Sequence, residues 1–232
     1  MIDISPDITK NITRIAVTLV PILLGMVLHE LAHGYAAHRL GDPTPNLQGR
    51  LTLNPFKHLE VMGSAVFILT ALTSPFVFGW AKPINVQPRY FRDQRMGMRL
   101  VSFAGPAANF ILAIIFAALY AMLTRHVISS QGHISTTMQF FLNTTYMGIW
   151  INLTLAWFNL LPIPALDGGH ILASFLPPSL AHKFYYYARY SLIILVVLMV
   201  SGAFRHIMRP LVETSAGILG SVFSIPSQLL FF

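Results

Sequence analysis

The run from Ile15 to Tyr35 carries no charged side chain until Glu30, and its length constrains the chain more than any other feature. About 20 apolar residues in helical form cross the roughly 30 Å hydrocarbon core of a bilayer. Within hydrocarbon every backbone N–H and C=O must be satisfied inside the protein, so such a run is a helix. Comparable runs recur at 61 to 80, 100 to 123, 138 to 161, 187 to 204 and 211 to 231; Gly63 and Pro75 interrupt the first of these, Glu213 and Pro226 the last. Charged residues make up only 10% of the 232, against about 25% in an ordinary soluble domain. The pattern predicts one all-α polytopic membrane domain over residues 1–232, with about five to six transmembrane helices and no room for a sizeable soluble domain. The net charge of +7 is read as topogenic and lipid-facing loops rather than nucleic-acid binding. With no cysteine, disulfides, thiolate metal sites and cysteine catalysis are excluded, and any metal must be held by His, Asp or Glu.

Two polar stretches separate the early runs. In the first, Leu47, Gly49, Leu51 and Leu53 alternate with Gln48, Arg50 and Thr52 between Pro45 and Pro55, a period-two pattern that predicts a short β-strand over 47–53. The second, WAKPINVQPRYFRDQRMGMR, is rich in proline and arginine and reads as a loop at the headgroup surface.

Chemistry enters at His29-Glu30-Leu31-Ala32-His33. Residues four apart share one face of a helix, so two imidazoles can converge on one Zn2+ while Glu30, one residue round, lies beside it within reach of a water. An ionisable residue in an apolar helix is expensive and marks function by default. A catalytic zinc site uses three protein ligands, so a further carboxylate or imidazole is needed. Asp93 sits among arginines and Asp42 lies in a turn, which leaves Asp167 in NLLPIPALDGGH. Its prolines and glycines force irregular backbone after a spanning helix, tolerated at membrane depth only where it is buried or lines a cavity. Capping the helix that starts near Gly168 is the other use open to Asp167.

HELAH, GRLTLNPFKH, FGWAKPI, AGPAAN and NLLPIPALDGGH, in that order over about residues 25 to 175, resemble the site-2 protease family of intramembrane zinc metalloproteases, in a compact branch without a PDZ domain. The resemblance implies one Zn2+ per chain held by His29, His33 and Asp167, with Glu30 activating the attacking water and a catalytic core over about 15–175 followed by C-terminal helices at about 187–231. It further implies that Asn109, in the AGPAAN helix, pairs with Asn159 and contacts substrate backbone or the oxyanion; hydrogen bonding between helices is the alternative use of two amides in apolar stretches. The interval between His33 and Asp167 is long for a compact member, and segment 61 to 80 is the apparent insertion.

The expected activity is endopeptidase cleavage of a transmembrane protein substrate within or near its membrane helix, in a lipid environment. A membrane zinc transporter and a catalytically silent protein that only binds membrane segments are the alternatives. A helical substrate must unwind to expose a carbonyl, and Gly49, Arg50, Leu51 and Thr52 of the expected strand could supply it with replacement main-chain bonds. His33 and Asp167 follow the ends of two different spans, so those ends share a side if segment 61 to 80 is re-entrant. That side then holds ten Lys and Arg against five on the other, which places the metal toward the cytoplasm of a prokaryotic inner membrane.

Overall fold

The computed structural model describes residues 6–73, 82–129 and 134–230. Helix α1, Pro6–Arg39, carries the first apolar run and the HELAH sequence without a break, although Pro21 lies inside it. A short helix α2, Thr44–Leu47, and α3, Val61–Thr73, precede the two long inner helices α4, Gln94–Ser129, and α5, Thr136–Asn159. Then come α6, Asp167–Phe175, α7, Pro178–Tyr186, α8, Ser191–Val200, and α9, Ala203–Phe223.

The chain is an integral membrane protein. Three helices are long and apolar enough to cross a bilayer: Thr13–Arg39, Gln94–Ser129 and the near-continuous Pro178–Val200. These are the helices among the described residues that meet that standard by length and composition, and the expected count of five to six spans is not confirmed by them. The run at 138 to 161 does form one helix, α5, but its polar residues lower its apolarity. Thr144, Thr145 and Asn152 are buried on it, as befits a helix packed between α1, α4 and α9. The run at 187 to 204 belongs to a helical stretch that begins earlier, at Pro178, and stops where Gly202 takes a left-handed conformation, φ +76°. The last run is displaced likewise: α9 starts at Ala203 and ends at Phe223, with Ser224 left-handed.

Leu112 and Phe116 of α4, Ile149 and Leu153 of α5, and Met208, Val212 and Ala216 of α9 make the main core. Tyr120 Oη donates to the Leu229 carbonyl at 3.1 Å and Trp157 Nε1 to Ser215 Oγ at 3.0 Å, fastening the C-terminal region to the α4–α5 pair.

No strand forms at 47–53 among the described residues. Leu47 ends α2, Gly49 turns the chain with φ +60°, and Arg50 is folded inward at 6% exposure. The alternation failed as a signal because it ran across a glycine in a left-handed turn and a buried cation, and neither can sit in a regular ladder. Instead the Arg50 guanidinium donates to the carbonyls of Lys57 and Lys82. The Lys82 N–H also donates to the His58 carbonyl at 2.7 Å, so the two ends of segment 59–81 lie side by side. Within it α3 has 13 residues, about 20 Å of helix. The rest of the 61 to 80 segment, from 74 on, falls outside the described residues.

Candidate metal centre

His29 and His33 lie one turn apart on α1, ring centroids 4.6 Å apart and planes at 88°. The 3.6-residue period puts both on the face turned to α4, α5 and α6. α4 comes close enough because position 105 is glycine: a Cβ there would fall on the His33 imidazole and come within 2.7 Å of His29 Cε1. Asp167 opens α6, reached from α5 through a turn in which Gly168 and Gly169 pack directly on the carbonyls of Leu160 and Ile163. Any side chain at either glycine would push α6, and Asp167 with it, away from α1. Arg99 fastens the other end of α6, donating through Nε to Ser174 Oγ at 3.0 Å, with its guanidinium 3.6 Å above the Phe175 ring centre.

The hydrogen bonds fix the tautomers. Val101 O can only accept, so His33 Nδ1, 2.7 Å away, carries a proton. Asn109 Nδ2 donates to Gly25 O at 3.1 Å and Asn152 Oδ1 at 3.0 Å, which turns Asn109 Oδ1 toward His29 Nδ1 at 2.7 Å. That nitrogen must therefore donate as well. Asn152 is set in turn by its own Nδ2, which donates to Gly148 O at 2.9 Å. Oriented amides thus run from α5 through α4 to the imidazole on α1. Asn109 and Asn152 are both fully buried.

With Nδ1 donating, each imidazole in its neutral form turns an Nε2 lone pair inward, the two Nε2 atoms lying 3.0 Å from each other and 3.2 and 3.3 Å from Asp167 Oδ2. That carboxylate oxygen is buried and receives no hydrogen bond. Three electron-rich atoms facing one another repel unless a proton or a metal cation sits among them. A tetrahedral Zn2+ with bonds of about 2.0–2.1 Å sets its ligands roughly 3.3 Å apart. The triangle fits that ion, and its two imidazoles already hold the second-partner hydrogen bonds typical of metal-ligating histidines. No other group of three or more metal-ligating side chains is found among the described residues.

Comparison with known proteins decides the family. The model of peptidase family M50 matches residues 17–201. The chain belongs to this family. It is similar to the protein named "Putative zinc metalloprotease YwhC" of Bacillus subtilis strain 168, 36% identical over 215 residues covering 91% of this chain and 93% of that one. It is also similar to "Putative zinc metalloprotease Rip2" of Mycolicibacterium smegmatis, 29% identical over 208 residues, 86% of this chain and 74% of the relative. No solved structure matches. As an M50 peptidase the chain is a hydrolase of the zinc metalloprotease class.

Glu30 is half-buried and its Oε2 accepts the Ile84 N–H at 2.9 Å. Asn159 is half-buried and donates Nδ2 to Leu155 O at 3.0 Å. The amide that Asn109 meets is Asn152, not Asn159. Of the expected strand residues, Gly49 is exposed in its turn and Thr52 gives its carbonyl to His58 Nε2 at 2.8 Å. Leu51 packs beside Gly34 on α1. Asp42, set aside in the sequence as a turn residue, is fully buried and accepts the N–H of Thr44 at 2.9 Å and of Gln87 at 2.7 Å. Sequence reasoning missed Asn152, Asp42 and the Ile84 amide. For Asn152 a signal existed: it lies two helical turns before Asn159, an amide on the same face of an apolar helix.

Proposed function

We propose that this M50 peptidase is an intramembrane endopeptidase, cutting a transmembrane protein substrate in or near its membrane helix. One Zn2+ per chain is held by His29, His33 and Asp167. The observation that carries the reading is the triangle of His29 Nε2, His33 Nε2 and Asp167 Oδ2, each 3.0–3.3 Å from the others. When bound, Zn2+ supplies the Lewis acid that polarises the scissile carbonyl and acidifies water. Glu30 takes the proton of the attacking water and hands it to the leaving amine. Asn109, with its amide engaged on every side, orients His29 and does not touch substrate. Asn159, which spends one N–H on its own helix, is the amide left to steady the substrate carbonyl.

The deciding experiment is elemental analysis of purified protein together with cleavage of a transmembrane substrate. Glu30→Gln should keep about one zinc per chain and lose cleavage by at least about 100-fold, the scale of general-base catalysis. Asp167→Ala should lose both. Stoichiometric zinc in Asp167→Ala would remove that ligand, and zinc transport surviving Glu30→Gln in vesicles would favour a transporter.

The metal faces the cytoplasm, and segment 61 to 80 is re-entrant. The His58–Lys82 hydrogen bond supports this, since a segment that returns to where it left does not cross once. Gln87 and Thr44 share Asp42 as acceptor, so they lie on one side. Single cysteines at Thr44, Gln87 and Ser179 should resist an impermeant thiol reagent in intact cells and react after lysis. One at Ser130, which lies outside the described residues, should react from outside. Labelling of position 87 from outside would reverse the reading.

A further inference from the structure

Segment 82–87 carries no helix or strand and is tied at its start, middle and end. At its start the Arg50 guanidinium holds the Lys82 carbonyl and, at 3.4 Å, that of Pro83. At its end Asp42 Oδ2 takes the Gln87 N–H at 2.7 Å. Between them the Ile84 N–H donates to Glu30 Oε2 at 2.9 Å. Ile84 Cδ1 and Leu51 Cδ2 would each lie 2.9 Å from a Cβ at Gly34, so this strap lies close against α1 one residue after His33. Val86 packs on the small cluster of Ala37, Phe91 and Val101.

Arg50 is a buried cation with no carboxylate partner among the described residues; its donors are taken up by carbonyl groups. Burying a guanidinium is costly unless its donors are used. Those carbonyls come from two separate loops, at Lys57 and at Lys82–Pro83, so the guanidinium is satisfied only when both loops are in place. The strap's position is thereby coupled to a residue remote from the metal.

We infer that Arg50 is a positioning residue: with Asp42 it clamps the 82–87 strap so that the Ile84 amide holds one oxygen of Glu30, aiming the other at the metal triangle. The inference rests on Glu30 being the proton acceptor of the proposed endopeptidase. An amide on Oε2 fixes the carboxylate's rotation, and Oε1 has no hydrogen-bond partner among the described residues. Misplacing a reacting group by about 1 Å costs on the order of 100-fold in rate.

The test uses the whole zinc-loaded chain and two readouts. In the Val86→Cys protein, which has no other cysteine, Arg50→Gln should raise the rate of maleimide labelling at least about fivefold, since the strap then opens locally. Asp42→Asn, acting at the other end, should do the same. In cleavage, Arg50→Gln should lower kcat at least about tenfold with KM and zinc content unchanged. In a Glu30→Asp background, where the shorter carboxylate no longer reaches the Ile84 amide, the same change should cost less than about threefold. Arg50→Lys, with one donor group for two loops, should fall between wild type and Arg50→Gln. An unchanged labelling rate overturns the clamp whatever the substrate. Equal losses in both backgrounds overturn its action through Glu30. Zinc lost from both Arg50→Gln and Asp42→Asn shows that the clamp holds the fold and overturns the inference. Wild type that shows no Glu30-dependent cleavage overturns the endopeptidase reading instead, while labelling still decides the clamp.

Discussion

Two helical stretches of this peptidase meet the same standard of length and apolarity and are used in opposite ways. The best spanning window of Gln94–Ser129 is 44% buried within the molecule, that of Pro178–Val200 only 6%. The first has Ser102, Gly105, Asn109 and Thr124 buried along it. In the second, α8 is SLIILVVLMV, whose sole buried residue is Ser191. Hydrophobicity therefore says that a helix can enter the bilayer and nothing about whether it meets protein or lipid there. Small and polar residues mark the inner helix, because only close packing and buried amides repay contact between helices already surrounded by an apolar solvent.

The comparison predicts that one methyl group on α4 outweighs any trimming of α8. Gly105→Ala should lose zinc and lower cleavage at least about 100-fold, since the added Cβ occupies the place of the His33 imidazole and the ligand must move. Elemental analysis of the purified variant checks it. A zinc-loaded, active Gly105→Ala would mean that α4 does not press on the triad.

A step smaller is Asn152→Ala on α5. It leaves Asn109 Nδ2 with one acceptor instead of two and frees the amide that fixes His29 Nδ1. An unsatisfied buried donor costs about 1–3 kcal/mol, and loss of a hydrogen bond behind a ligand lowers metal affinity about 10- to 100-fold. Zinc competition with a chelator should show that loss, while Asn159→Ala should bind zinc as wild type. Equal affinities for all three proteins would remove the amide chain from the metal's support.

What the sequence revealed and what it hid divide along the same line. His29, His33 and Asp167 were legible because each violates its surroundings: ionisable groups in or beside apolar runs, two of them at helical spacing. The family resemblance pointed to the same three. The helical character of α1, α4 and α5 was legible from run length. The number of spans was not, because α5 and α9 are shielded by neighbours and need not be apolar enough to face lipid. The role of Arg50 was hidden by its place in an alternating pattern, since nothing local shows that a cation will fold inward onto carbonyls from a loop 32 residues away. Asn109 was found, but its partner was misjudged: Asn152 and Asn159 share a helical face, and only packing selects between them.

The smallest expected effect tests the outer stretch. Val197 of α8 is 58% exposed and Val200 84%, so trimming either to Ala opens no cavity, and lipid chains close over the missing methyl groups. The loss that makes a large-to-small change costly in a packed core is absent here. Val197→Ala should leave zinc content unchanged, cleavage within about twofold and thermal stability within about 0.5 kcal/mol, the range of substitutions away from packed features. Val197→Lys sharpens the point from the other side, because a cation at mid-helix costs about 2.5–3.5 kcal/mol on insertion. The fraction recovered in membranes should then drop while Val197→Ala does not change it. If Val197→Ala instead lost several-fold activity, α8 would be packing on protein, as α4 does, and the division between an inner and an outer stretch would fail.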